Sequence, residues 1–351
     1  MNRIEKIQKH FPYGVDAFIT SNEKTCLYLS EFLFSDGMIF VTKDDATIYT
    51  DFRYLEAAEQ EAVGCQISVA PRFEAIRKTI AEKNIRVIGY EDDLLYVSEL
   101  ETFKQQFSSC EFVPMGGVIR ELAEYKDERE MQLVRDAQKI TDDAFAAVLP
   151  LLRPDMKETD VAAEIEYQMK KRGASGTSFE TIAVSGTNSA RPHGVPRPVV
   201  LEKGFLTMDF GCYCKGYASD MTRTVVIGKA DQEMKKVYDT VLRAQLAAIE
   251  AVREGMLGCE LDKVARDIIY AAGYEGCFGH GLGHGVGIYI HENPRISGVG
   301  RKPLTKGHIF TVEPGIYLKG KYGVRIEDMI QMTANGPVDI TKSPKDLVEI
   351  L

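Results

Sequence analysis

Four carboxylates sit at matched places in two apolar strand pairs, and their chemistry is the first clue to function. Asp209 lies in Met208-Asp209-Phe210-Gly211 and Asp220 in Ser219-Asp220-Met221-Thr222. If Lys215-Gly216 forms a hairpin loop, Cys214 faces Tyr217, Gly211 faces Asp220 and Asp209 faces Thr222. Strand alternation then puts Asp209 and Asp220 on one face, diagonal neighbours ~7–8 Å apart, and leaves Met208, Phe210 and Met221 for a core. Two bare carboxylates there repel each other, and a cation between them removes the conflict. A second strand pair, His308 to Leu318 and Gly323 to Met332, carries Glu313 and Glu327. Pro314 leaves its register open. Each acid alone reads as an ordinary strand residue. The matched set, flanked by apolar side chains, points to hard or borderline cations such as Mn²⁺, with two ions sharing carboxylates.

Histidines reinforce the pattern. Three of the six lie in Gly279-His280-Gly281-Leu282-Gly283-His284-Gly285-Val286-Gly287-Ile288-Tyr289-Ile290-His291. Glycine at alternate positions cannot sustain a helix, so His280 and His284 are not a helical zinc pair. An extended segment is expected, its glycines letting backbone approach a ligand or metal. His193 belongs to a loop before the first acidic strand, while His10 and His308 read as bystanders.

The elements that must position these residues fall into two stretches. At 351 residues the chain has a prior of about two domains. The first alternates short strands (16–20, 38–42, 47–50, 66–70, 87–90) with helices (54–62, 73–83, 98–107), an α/β layer pattern. A charged segment, Arg120 to Asp127, leads into a long amphipathic helix ended by Pro150 and Pro154. From there one plan runs twice. A long helix is followed by Arg153-Pro154-Asp155-Met156 and a helix stopping near Gly173. Another long helix, Gln232 to Val252, is followed by Arg253-Glu254-Gly255-Met256 and a helix stopping at Gly273. A duplicated half with a site between the copies is the expectation.

Composition narrows the partners. A net charge of −9 offers no footprint for nucleic acid, and no stretch reaches the ~20 apolar residues of a membrane helix. The polar start lacks the apolar core of a signal peptide. Seven cysteines without a CxxC pair suit reduced thiols in a cytoplasmic setting.

These motifs together resemble the pita-bread metallopeptidases, the superfamily of creatinase, prolidase, aminopeptidase P and methionine aminopeptidase. The resemblance rests on Met208-Asp209-Phe210-Gly211, Ser219-Asp220-Met221-Thr222-Arg223-Thr224, the glycine–histidine run, Val312-Glu313-Pro314-Gly315 and Val324-Arg325-Ile326-Glu327-Asp328. It implies an α/β (α+β) protein with a creatinase-type N-terminal domain, 1–122, and a duplicated pita-bread catalytic domain, 123–351. It makes Asp209, Asp220, His284, Glu313 and Glu327 the ligands of two divalent ions per subunit, with Mn favoured and Co, Zn or Fe possible. His193, His280 and His291 match histidines that contact substrate. Glu313 is the candidate proton carrier, Arg325 an arginine beside the last ligand, Arg295 a holder of the substrate carboxylate and Phe179 a wall of the proline pocket. The implied reaction is hydrolysis of Xaa-Pro bonds in dipeptides or at peptide N-termini, in a homodimer. The competing reading is a catalytically silent module that binds peptide or protein. Relatives of that kind lose metal ligands, whereas all five are present here.

Overall fold

The computed structural model describes residues 2–351, which form two compact units divided between Ala123 and Glu124. The first unit runs α1 (Arg3–Lys9), β1 (Ala17–Thr20), α2 (Glu23–Ser30), β2 (Met38–Thr42), β3 (Ala46–Tyr49), α3 (Phe52–Glu61), β4 (Gln66–Ser68), α4 (Arg72–Lys83), β5 (Val87–Tyr90), α5 (Val97–Gln106) and β6 (Glu111–Pro114), followed by α6 (Val118–Glu124). Its strands make a mixed sheet ordered β4-β3-β2-β1-β5-β6. Ile76 and Ile80 of α4, Phe103 of α5 and Phe107 just after it pack on Ala17, Ile19, Phe40 and Ile88. The strands and helices expected from alternation are all present. The helix α2 was not expected, because Thr25 to Ser30 are all buried and so leave no one-sided stripe to read.

Among the described residues this unit holds one buried acid. Glu91 is 4% exposed and accepts hydrogen bonds from Thr20 Oγ1 at 2.6 Å and Thr25 Oγ1 at 2.7 Å. Burial pushes its carboxyl up to about 7. The folded chain therefore keeps a proton that the unfolded chain releases near pH 4.3, so stability declines as pH rises from there to about 7, by about 3 kcal/mol. In the full chain, Glu91→Gln is expected to flatten the fall in urea midpoint between pH 5 and 8. Equal slopes in variant and wild type would contradict this.

The second unit opens with α7 (Glu128–Val148) and α8 (Glu158–Lys171). It continues through β7 (Gly176–Thr177), β8 (Ile182–Ser185), β9 (Gly204–Phe210), β10 (Cys212–Cys214), β11 (Tyr217–Ala218) and β12 (Met221–Ile227). The helices α9 (Gln232–Ala251) and α10 (Gly258–Ala271) follow. Then come β13 (Gly283–Gly285), β14 (Glu292–Ile296), β15 (Ile309–Val312), β16 (Gly315–Leu318), β17 (Tyr322–Arg325), β18 (Asp328–Thr333), β19 (Gly336–Asp339) and β20 (Glu349–Ile350). One core packs Ala144, Val148, Val161 and Ile165 of α7 and α8 against Leu206, Met208, Phe210 and Met221. The other packs Val237, Val241, Leu261 and Ala265 of α9 and α10 against Phe310, Val312, Val324 and Ile330.

The duplication is visible in backbone contacts. Lys157 bridges to Val200 just before α8, and Leu257 bridges to Pro303 just before α10. Leu201 N donates to Met156 O, and Leu304 N donates to Met256 O. Gly173 and Gly273, with φ of 100° and 92°, follow the two helices and let the chain leave each one.

Both acidic ribbons are interrupted where the acids sit, yet each keeps its register across the break. Asp209 is opposite Thr222 and Cys214 is opposite Tyr217, as the Lys215-Gly216 hairpin requires. The kink falls at Gly211, where a Cβ would lie 1.9 Å from Ser219 O. In the second ribbon Val312 is opposite Asp328 and Gly315 is opposite Arg325, so Glu313 and Glu327 fall across from one another. Pro314 stands between the two ladders, where its missing N–H is not needed. All seven cysteines are unpaired. Among the described residues no helix is long and apolar enough to cross a membrane.

Candidate metal centre and active site

The two ribbons meet through their threonines. Thr222 Oγ1 donates to Glu327 Oε2 at 2.6 Å, Glu327 N donates to Thr222 O at 3.2 Å, and Thr224 Oγ1 donates to Arg325 O at 2.9 Å. These bonds tie the halves together at the acids. A cavity of about 390 Å³ opens there, lined by Asp209, Asp220, His284, Glu313 and Glu327 together with His193, His280, His291, Arg325 and Phe179. Fifteen of its lining residues lie in two segments, 179–196 and 280–291, one from each half.

Asp220, His284 and Glu327 offer ligand atoms all within 4.8 Å of one another. The His284 ring shows why. Its Nδ1 lies 3.0 Å from Gly285 O, and a carbonyl only accepts, so the ring proton is on Nδ1. Nε2 then presents a lone pair to Asp220 Oδ2 at 3.5 Å and Glu313 Oε1 at 3.4 Å. Burial holds His284 down to about 4, so it stays neutral. Thr311 Oγ1 supports both neighbours, accepting from His284 N at 3.1 Å and donating to Glu313 Oε1 at 3.0 Å.

The carboxylates are crowded. Burial, and then Asp209 and Glu313, push Asp220 well above the usual range. Burial, and then Asp220, Glu313 and Asp209, do the same to Glu327. Burial raises Glu313 to about 8 against the pull of Arg325. One cation answers part of this. Arg325 NH2 donates to Asp209 Oδ2 at 2.6 Å, and its Nε donates to Thr222 Oγ1 at 3.0 Å. Asp209 Oδ1 is buried without any hydrogen-bond partner. An orphaned carboxylate oxygen, a neutral imidazole lone pair and three further acids form an oxygen-rich donor set with too little positive charge. That set fits divalent cations.

His280 stands differently from the reading of sequence. Its Nδ1 donates to Gly281 O at 2.8 Å, and its Nε2 lies 2.9 Å from Tyr317 OH. Arg325 NH1 donates to the same Tyr317 oxygen at 2.7 Å, so the tyrosine proton goes to His280 Nε2. Both ring nitrogens are engaged, and burial lowers His280 to about 4. It therefore orients Tyr317 and offers no free donor to a substrate. His291 lies with its ring centroid 4.3 Å from that of His284. Arg295, the expected holder of a substrate carboxylate, is exposed on β14 and does not line the cavity. Pro294 and Ile296 take the inward positions there, and alternation turns Arg295 away.

Sequence reading missed Tyr317, Thr222 and Thr311. Thr222 was within reach, because it lies two residues beyond Asp220 on the same strand face. It also missed the buried Lys126–Glu292 ion pair, which fills the space beside Gly287 and fixes the backbone next to His291.

The comparisons agree with this architecture. Residues 132–334 match the model of metallopeptidase family M24, and residues 3–123 match that of the creatinase/prolidase N-terminal domain. The Xaa-Pro dipeptidase of Pyrococcus furiosus is 39% identical over 313 residues, 89% of each chain. Among solved structures, an Xaa-Pro dipeptidase from Bacillus anthracis superposes with a TM-score of 0.93 at 39% identity over 99% of both chains. An X-Pro aminopeptidase from Thermotoga maritima also gives 0.93, at 34% identity over 99% of this chain and all of that one. The acid ribbons, the duplicated helices and these matches place the chain in metallopeptidase family M24, among the pita-bread peptidases related to creatinase, prolidase and aminopeptidase P.

Proposed function

We propose that the protein is an Xaa-Pro dipeptidase whose second unit, within 123–351, holds two divalent metal ions through Asp209, Asp220, His284, Glu313 and Glu327. The observation that carries the proposal is the convergence of both acidic ribbons and the His284 lone pair in one cavity beside an orphaned Asp209 oxygen. The similarity to enzymes named Xaa-Pro dipeptidase supports the substrate class.

Divalent cations held there supply Lewis acidity that acidifies water and polarises a carbonyl. The chain's own groups do the rest. Glu313, as a carboxylate at the cavity wall, would take up a proton from the attacking water and pass it towards the leaving proline nitrogen. His193 and His291 line the cavity as hydrogen-bond donors to the carbonyl oxygen as charge builds on it. Phe179, Ile182 and Ile290 give the cavity apolar wall, which suits a proline ring. Proline carries no amide N–H, so shape rather than a backbone hydrogen bond must select it.

The test compares an Ala-Pro dipeptide with an Ala-Pro-Ala tripeptide, in Mn²⁺ and in Co²⁺. The dipeptide is expected to be cleaved at least tenfold faster. Equal or better cleavage of the tripeptide would reassign the chain as an aminopeptidase. Failure to cleave either, with no stoichiometric metal bound, would favour a silent binding module.

A further inference from the structure

The helices α8 and α10 are copies offset by 100 residues, and they differ where each meets a histidine-bearing segment. Position 158 is Glu and its counterpart, 258, is Gly. Position 162 is Ala and its counterpart, 262, is Asp.

Glu158 opens α8 with its side chain fully buried. One oxygen accepts from Ser185 N, Ser185 Oγ and Arg197 NH2 at 2.8, 2.9 and 2.7 Å. The other accepts from Asn188 Nδ2, Arg197 N and Arg197 Nε at 3.1, 2.9 and 3.0 Å. These donors are the two ends and one interior residue of the segment that carries His193 into the cavity. Asn188 Nδ2 also reaches Val195 O at 3.1 Å, closing the loop on itself. No hydrogen bond to the His193 ring is present among the described residues, so the loop sets its position, helped by Arg325 NH1 on Pro192 O at 3.3 Å.

Gly258 cannot do the same. A Cβ there would lie 2.1 Å from Arg295 O, so backbone occupies the space that Glu158 uses in the first copy. The second copy clamps its loop one turn later. Asp262, 2% exposed, accepts from Arg266 Nε at 2.8 Å, from Arg266 NH2 at 2.9 Å and from Leu282 N at 3.0 Å. Arg266 in turn donates to Phe278 O and His280 O, both at 2.8 Å, and lies 4.2 Å from the Phe278 ring centroid. The two acids are thus displaced by one turn of a duplicated helix, yet each holds the segment that delivers one cavity histidine.

We propose that Glu158 with Arg197 is the positioning pair for His193, and that Asp262 with Arg266 is the positioning pair for His280, each acting through its own loop and not through the other. A carboxylate that gathers six donors from one loop has a purpose beyond capping a helix, because a cap needs only one or two. For its effect on rate the proposal rests on the peptidase reading above.

The test is a matrix of Glu158→Gln and Asp262→Asn crossed with His193→Ala and His280→Ala. It is read by kcat and KM on Ala-Pro with saturating Mn²⁺, and by amide hydrogen exchange without substrate. Glu158→Gln is expected to lower kcat about 30-fold at unchanged metal content, and His193→Ala about 10²–10³-fold. Adding Glu158→Gln to His193→Ala should cost less than about threefold more, because the group it positions is already gone. Adding it to His280→Ala should cost its full factor. Asp262→Asn should show the reverse couplings. Exchange in 186–197 should quicken at least tenfold in Glu158→Gln alone, and exchange in 278–282 in Asp262→Asn alone. If Glu158→Gln does not fold, Arg197→Lys, which cannot span both carboxylate oxygens, replaces it with an expected fivefold loss. Equal losses in every background, or exchange rising in both segments for either variant, would overturn the positioning assignment. A wild type that cleaves no Xaa-Pro peptide would sink the peptidase reading instead, while the exchange data would still decide the clamps.

Discussion

Replacing Asp220 by Ala is expected to remove metal binding and Xaa-Pro hydrolysis together, with kcat/KM falling at least ~10³-fold. Asp220 lies 3.5 Å from the His284 lone pair, belongs with His284 and Glu327 to a set whose ligand atoms all lie within 4.8 Å of one another, and is 4% exposed. A catalytic ion held by weaker donors loses both its place and its effect on water. The stability consequence has the opposite sign. Asp220 is already crowded by Asp209 and Glu313, which with burial keep its carboxyl well above the usual range. Its ionised form is therefore unfavourable in the metal-free fold. The isosteric Asp220→Asn should melt at or above the wild type when both are metal-free, but should lose most of the Mn²⁺-induced rise in Tm. That rise reflects linkage, about 4 kcal/mol at a thousandfold excess over Kd. Thermal melts with and without Mn²⁺, beside metal analysis of the purified variants, read both effects. A variant that keeps wild-type turnover would place the active site elsewhere.

Gly283→Ala is expected to be the most damaging single methyl group in the site. A Cβ at Gly283 would lie 2.0 Å from Thr311 O and 2.7 Å from Thr311 Oγ1, both on the neighbouring strand β15. Neither strand can yield cheaply, since β13 is held between β14 and β15. Overpacking of this kind costs about 1–3 kcal/mol or more. The functional loss should be larger than the stability loss. Thr311 Oγ1 bonds to both His284 N and Glu313 Oε1, so displacing it moves two candidate ligands at once. Losing such outer support lowers metal affinity by roughly 10–100-fold. Calorimetric titration with Mn²⁺ reads the affinity, and Gly279→Ala serves as the control. Nothing lies within 4 Å of a Cβ at Gly279, and that variant should bind Mn²⁺ as the wild type does.

Much of this site was legible before any coordinates. Alternation alone put Asp209 and Asp220 on one strand face, because a hairpin's register follows from its turn. Met208, Phe210 and Met221 do enter the core on the opposite face. The repeated Arg-x-x-Met segments announced two copies of one helical unit, and the bridges at Lys157 and Leu257 bear that out. The helix α2 was not legible, because a helix buried all round carries no amphipathic period.

What residue order determined is therefore which chemical groups exist and which way each faces along its own strand or helix. Those properties follow from local backbone geometry, with its periods of 2 and 3.6 residues. The packing of one half against the other decided the rest. It set Glu327 against Thr222, and the fit of distant strands within the second half gave His280 to Tyr317. Each of these depends on the distance between segments far apart in the chain. Such distances come from how two cores fill space, and no local period encodes them.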